Sequence, residues 1–214
     1  MHKTKKFSIL LLVPTFLFIA LDGAVPFAFS VECLEKSPAF FSGGEPFGPI
    51  VDRDLTKSEH DDIKALLVAL DGEWRGTARE RYCSFSDAAD QSVEDYSVKA
   101  DVKVDRYGNF FMKMEFYSSK ERTTHQKILR FYLNDQRFRI DDDSSAGDVE
   151  FINLTKHKIE FLYRVRVRRP TLKGGLHKEF YVYLDGRKDA FSIRSQTYTQ
   201  GRLSDDHEWH FIRR

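Results

Sequence analysis

Gly72-Glu73-Trp74-Arg75-Gly76 is the stretch on which the fold turns. Before it, apolar residues recur at helical spacing. Ile63, Leu66, Leu67 and Leu70 fall at i, i+3, i+4 and i+7, on one face. Thr56 or Ser58 can cap that helix, Glu59, Asp61 and Asp62 suit its positive end, and Gly72 ends it. After it the period changes to two. Trp74, Gly76 and Ala78 face one way while Arg75, Thr77, Arg79 and Arg81 face the other. Tyr96, Val98, Ala100, Val102 and Val104 alternate with charged or polar neighbours, so that strand has one dry face and one wet face.

The alternation continues to the end of the chain. Phe110, Met112, Met114 and Phe116 line the next strand, followed by strands marked by Leu129, Phe131 and Leu133, by Phe138 and Ile140, and by Phe151. Ile159, Phe161, Tyr163, Val165 and Val167 then oppose Arg164, Arg166 and Arg168. Phe180 to Leu184, Phe191 with Ile193, and Trp209 with Phe211 complete the series. Short strands at regular spacing, joined by hairpin-length links, predict an all-β fold: an up-and-down antiparallel β-barrel of about ten strands with one short N-terminal helix. Closure removes exposed edges.

Residues 1–30 read as a signal peptide. Lys3, Lys5 and Lys6 precede the apolar run Phe7–Leu21, and Ala28-Phe29-Ser30 supplies small residues for cleavage. That run is about fifteen residues, where a membrane span needs about twenty, so no stable membrane anchor is expected after cleavage. Glu32 ahead of Cys33 argues against bacterial lipid attachment. Residues 31–55 are expected as an N-terminal arm, since Ser42-Gly43-Gly44-Glu45-Pro46-Phe47-Gly48-Pro49 is rich in turn formers. Residues 56–214 are expected as the helix plus barrel domain.

The chain of 214 residues carries 34 basic and 33 acidic side chains; without residues 1–30 it carries 31 and 32. Such balance exerts no long-range pull on nucleic acid or anionic lipid, so no nucleic-acid partner is expected. Two cysteines in an exported chain pair most simply as one disulfide, Cys33–Cys83. Cys83 falls on the arginine-bearing face of its strand, where an arm carrying Cys33 reaches it from outside the core.

With its preceding helix and following meander, Gly72-Glu73-Trp74-Arg75-Gly76 resembles the calycin superfamily, which includes lipocalins, fatty-acid-binding proteins and nitrobindin-like barrels. About ten strands fits the ten-stranded branches better than the eight of lipocalins. The resemblance implies a barrel floor closed by Trp74, flanked by Gly72 and Gly76, with Arg213 or Arg214 packed across it, and it implies an internal cavity. No histidine motif of the haem-binding kind is identifiable, and no cofactor is expected.

The candidate ligand-lining residues are Met112, Met114, Phe116, Phe161 and Tyr163, on faces that point inward. Methionine reshapes around a ligand, although the same stripe also serves as plain core. His207 and His210 fall on opposite strand faces and cannot share one ion, so they are read as surface histidines and no metal is expected. Asp141–Asp148 lacks the glycine and distal Glu of a calcium loop and reads as a solvated hairpin. Arg164, Arg166, Arg168 and Arg169 read as a solvated strand face. No catalytic triad, nucleophile elbow or phosphate loop is present, so no catalytic residue is assigned and the chain is expected not to be an enzyme.

Two functions follow. The first is a periplasmic or secreted carrier for a small hydrophobic ligand, a lipid or acyl chain. The second is a ligand-free interaction or assembly module of the envelope, its barrel filled by nineteen phenylalanines and other bulky residues, with a protein partner the sequence does not name. Two convergent ionisable groups inside the barrel would instead mark an enzyme.

Overall fold

The computed structural model describes Cys33 and residues 36–38, 53–84, 91–134, 137–142, 146–167 and 176–214, with backbone alone at 142 and 146–148. The expected signal peptide, and most of the expected arm, lie outside the described residues. The helix, α1, spans Lys57–Ala69. Thr56 caps it in a reciprocal box: the Glu59 N–H donates to the Thr56 hydroxyl at 3.3 Å, and the Thr56 N–H donates to the Glu59 carboxylate at 2.9 Å. The face carrying Ile63, Leu66 and Leu67 is buried.

Eleven strands follow: β1 (Gly72–Cys83), β2 (Gln91–Val104), β3 (Phe110–Ser118), β4 (Thr123–Leu133), β5 (Phe138–Asp142), β6 (Ala146–Asp148), β7 (Glu150–Leu154), β8 (Lys158–Val167), β9 (Leu176–Gly186), β10 (Ala190–Thr199) and β11 (Arg202–Arg213). They form one curled antiparallel sheet in the order β6-β5-β4-β3-β2-β1-β11-β10-β9-β8-β7. Every neighbour is also a neighbour in sequence except β1 and β11, whose pairing joins the two ends of the meander.

The sheet begins and ends at consecutive strands. β6 and β7 run in the same direction and are separated only by buried Val149. One residue is too short a link for a hairpin. The two are therefore one interrupted strand, its first part paired to β5 and its second to β8. Counted this way, the meander has the ten strands read from the sequence. Aromatic contacts cross this seam: Phe138 of β5 lies 5.7 Å from Phe151 of β7 and 5.4 Å from Phe161 of β8, ring centre to ring centre.

The barrel has two unlike ends. At the floor, the Trp74 indole N–H donates to the Leu70 carbonyl at 2.8 Å, satisfying an orphan group at the end of α1. Arg213, paired with Trp74 across β1 and β11, places its guanidinium 4.5 Å from the Trp74 ring centre. It donates to the Ala69 carbonyl at 2.7 Å and the Asp71 carbonyl at 3.1 Å. Gly76 is required here, since a Cβ would stand 1.7 Å from the His210 carbonyl oxygen across the β1–β11 ladder. Arg214 pairs with Glu73 at the surface.

At the rim, Cys33 and Cys83 are joined in a disulfide. They pack with Tyr198 and Leu203 in a small cluster separate from the main core. Lys36 bridges to Arg202, and the Ser37 N–H donates to the Gly201 carbonyl. No helix among the described residues is long and apolar enough to cross a membrane.

Trp74→Ala is expected to cost about 3–5 kcal/mol, the range for truncating a large buried aromatic. Gly76→Ala is expected to destabilise by forcing β1 from β11, whereas Arg79→Ala, which breaks only an exposed pair with Asp95, should cost about 1 kcal/mol or less. Urea melts of the three variants check this ranking.

Candidate functional site

The inward faces follow from the register. From Trp74, the alternation of β1 carries Gly76, Ala78, Glu80 and Tyr82 inward. Glu80 lies opposite His207 of β11 and Glu94 of β2. Toward the rim the dry interior therefore gives way to ionisable groups. Glu80 is 0% exposed. Its carboxylate accepts from Lys127 of β4 at 2.5 Å, from the Tyr82 hydroxyl at 2.6 Å and from the Trp209 indole N–H at 3.3 Å. Because β4 lies three strands from β1, the Glu80–Lys127 pair ties together non-adjacent walls.

The Lys127 ammonium sits 5.3 Å from the Phe116 ring centre and 5.6 Å from that of Trp209. Its side chain retains 29% exposure, so it bridges the interior and the solvent at the rim. His125 stacks on Phe116 at 4.8 Å and meets Tyr96 edge-on at 5.0 Å. The Tyr96 hydroxyl donates to Glu94. His207 lies 5.4 Å from the Tyr82 ring, and its Nε2 is buried without a hydrogen-bond partner among the described residues.

Burial alone would push the Glu80 pKa up. The positive charges of His207, when protonated, and of Lys127, with hydrogen bonds from Lys127 and Tyr82, more than offset this, so Glu80 is lowered. His207 is itself lowered, by burial first and by the Lys127 charge second, against the pull of Glu80, Asp205 and Asp206. At neutral pH His207 is thus uncharged, and Lys127 is the cation that holds Glu80 ionised. Tyr82 and Tyr96 are both raised, by burial and then by donating to Glu80 and Glu94. His210, outside the barrel, is raised by its hydrogen bond to Glu208.

Met112, Met114 and Phe116 project inward from β3, and Phe161 and Tyr163 from β8; all five are buried in the same core. Phe116 reaches the rim cluster through Trp209, at 5.9 Å. Phe161 packs on Phe131 and Phe138, and Tyr163 stacks on Phe180 at 4.5 Å. Two clefts of about 660 and 500 Å³ open at the floor end beside α1 and the β2–β3 turn, and none of these five residues lines either. Gly72, Trp74, Gly76 and Arg213 are at the floor, as described above.

Two polar features differ from the sequence reading. His207 is half-buried, its Nε2 atom buried, rather than a surface histidine, although His210 is exposed on the opposite face. On the arginine face of β8, Arg164 is drawn into a pair with Glu179, which is 0% exposed and also accepts from the Ser37 hydroxyl; Arg168 and Arg169 lie outside the described residues. The acidic run 141–148 agrees with the hairpin reading: β5 and β6 pair antiparallel with Asp141 opposite Ala146, and Asp141 pairs with Arg130 at 3.6 Å; the side chains at 142–148 lie outside the described ones. Among the described residues, no group of three or more His, Cys, Asp or Glu is placed to hold a metal. The alternation from Trp74 placed Glu80 inward and was the available signal for the site; its partner Lys127 depends on strand order and register.

Neither a protein-family model nor a curated protein matches the sequence. Solved structures do resemble the fold. Rv2717c from M. tuberculosis is 16% identical, with 70% of this chain and 97% of that chain covered and a TM-score of 0.45. A protein of unknown function from the DUF3598 family of Nostoc punctiforme is 14% identical at a TM-score of 0.39; 80% of this chain is covered but only 54% of that one. The S-type phycobiliprotein lyase CpeS from Guillardia theta is 12% identical, with 78% and 98% covered and a TM-score of 0.46.

The expectation that the chain is not an enzyme is corrected. One of the chains it resembles bears the name of a lyase. The physical ground for the expectation also falls, because Glu80, Lys127 and His207 are ionisable groups that converge inside the barrel.

Lys127→Met is expected to destabilise by about 3–5 kcal/mol, since it leaves the Glu80 charge buried and unpaired, and adding Glu80→Gln should recover most of that loss. Double-mutant urea melts measure the coupling. The two histidines have opposite signs. A folded pKa below the unfolded value of about 6.5 means that His207 contributes stability above that pH and loses it as pH falls. His210, raised, contributes below that pH and loses it as pH rises through its folded pKa. Between pH 7.5 and 5.5, wild type should therefore lose stability relative to His207→Gln and gain it relative to His210→Gln.

Proposed function

We propose that the protein is an exported barrel, periplasmic or secreted, that binds a small hydrophobic molecule such as a lipid or acyl chain. The observation that carries this reading is the rim half of the interior, where Lys127, Glu80 and an unpartnered His207 nitrogen meet the rings of Phe116 and Trp209. Buried ion pairs seldom stabilise a fold more than apolar packing of the same volume would, so a polar group retained in an aromatic interior points to use. An apolar wall with a few convergent polar groups is the usual composition of a ligand site. Met112 and Met114, adjoining Phe116, supply a wall that can re-form around a guest. Export is supported by the signal-peptide pattern of residues 1–30 and by the Cys33–Cys83 disulfide, a bond of oxidising compartments.

The near-complete burial of Met112, Met114, Phe116, Phe161 and Tyr163 favours a second reading, an interaction module whose barrel is filled by its own side chains. Native mass spectrometry of the processed protein, with titration of a fluorescent fatty acid, separates the two. The carrier reading expects a bound lipid mass or saturable probe binding at one equivalent, weakened by Phe116→Ala. Neither a bound mass nor probe binding would leave the filled barrel.

A further inference from the structure

We propose that the floor end carries a second binding site, independent of the barrel interior, for an anionic ligand with a flat ring. The site is the cleft of about 660 Å³ between α1 and the turns that join β2 to β3 and β4 to β5. Its volume is in the range of small-molecule sites. Lys64 of α1 and Arg139 of β5 bring two cations to its lining, and Tyr107 and Tyr132 bring two aromatic side chains. These tyrosines are 57% and 43% exposed; the Arg106 guanidinium lies 4.6 Å over the Tyr107 ring centre. Lys64 has no carboxylate partner among the described residues. The adjoining cleft shares Asn109 and Tyr132 and adds Lys103 and Arg130, which pair with Asp101 at 3.3 Å and Asp141 at 3.6 Å.

The framework of the cleft is fixed before any ligand arrives. Asp105 contributes the only carboxylate to the two linings, and the turn consumes it: it accepts from the Tyr107 and Asn109 N–H groups at 2.8 and 2.9 Å and from the Asn109 side chain at 2.9 Å. The Asn109 side-chain oxygen Oδ1 in turn accepts from the Leu133 N–H at 3.0 Å, which ties the β2–β3 turn to β4. Gly108 has a φ of +94°, and a Cβ there would stand 3.0 Å from Leu133 Cδ2 and 3.2 Å from Lys64 Cγ. The glycine thus lets the aliphatic stem of Lys64 lie against the turn. Those donors hold Asp105 ionised, but it lines the adjoining cleft; among the described residues no carboxylate lines the larger one, where Lys64 and Arg139 favour an anion. The tyrosine rings select a flat face, by stacking or by contact with ring C–H groups.

The test is a titration of the 15N-labelled chain with 2-naphthalenesulfonate, followed by backbone amide shifts. Saturable shifts should centre on Lys64, Tyr107–Asn109 and Leu133–Asn134. Lys64→Met, which keeps the stem and removes the charge, should weaken binding roughly tenfold, the worth of one charge-assisted hydrogen bond. Tyr132→Ala should weaken it too, whereas Arg75→Glu on a distant strand face should not. Thermal melts of each variant confirm folding. Shifts that fail to saturate, that spread over every cationic surface, or that map to β1 and β11 around Glu80 and His207 overturn the proposal, as does an unchanged affinity in folded Lys64→Met. Failure here leaves the interior reading untouched, because that reading is probed by a fatty acid at the other end of the barrel.

Discussion

The guanidinium of Arg213, lying over the Trp74 ring and donating to the carbonyls at the end of α1, is the interaction on which the remaining architecture depends. It joins three elements: the helix, the first strand and the last strand. Arg213 lies 142 residues from Asp71 and 144 from Ala69, so bringing them together carries a large closure entropy. Local hairpins form every other step of the sheet; only β1 with β11 must be found at long range. Trp74 and Arg213 stand in register on that ladder, and Gly76 beside them allows the backbones to approach. A cation over a desolvated indole adds an attraction that simple burial lacks. The same contact ends the helix, because carbonyls otherwise orphaned at its C-terminus become acceptors.

From that fixed floor the interior changes character along the strands. Near Trp74 the inward positions are apolar and the rings of Phe191 and Phe211 pack there. Near the rim the same inward phase brings Glu80, Tyr82, Lys127 and His207. A carboxylate with no exposure is tolerable only when its charge is met, and here an ammonium, a phenol and an indole meet it. The arrangement is rigid, since each donor comes from a strand already fixed by its ladder. Such a site holds its polarity ready and needs no reorganisation when a guest or substrate arrives.

Much of the fold was legible because strands advertise their faces. The alternation from Trp74, from Tyr96 and from Phe110 gave the inward sets of β1, β2 and β3, and the Thr56 and Ile63–Leu70 pattern gave α1. The break at Val149 was not legible: a strand that changes partner midway keeps its period, and only its neighbours differ. Glu80 could be placed inward by phase, whereas its pairing with Lys127 depends on the separation of β1 and β4 in the finished sheet. His207 was misread because a histidine near a polar run resembles a surface residue until the register sets it opposite Glu80. Arg164 was misread for the related reason that its face is covered by Ser37 from a segment without strand periodicity. Sequence reports what a residue prefers locally; what covers it is decided by chain segments far away.

The rim fastening answers the same entropic problem as the floor. Cys33 to Cys83 closes a loop of 50 residues, worth roughly 4 kcal/mol in the chain-entropy account. The bond lands on the last residue of β1, and the following contacts of the arm land on β11 and β9, through Lys36 with Arg202 and Ser37 with Glu179. Cys33, Lys36 and Ser37 therefore fasten to β1, β11 and β9 at the end opposite Trp74 and Arg213. A ladder of nine paired positions is held at both of its ends, by packing and hydrogen bonds at one and by a covalent bond at the other. Between those fastenings lie Glu80 and His207, whose relative position is set by that register alone. A one-residue slip of either strand would turn its own residue outward and part Glu80 from His207, so the fastenings that close the barrel also hold its interior site together.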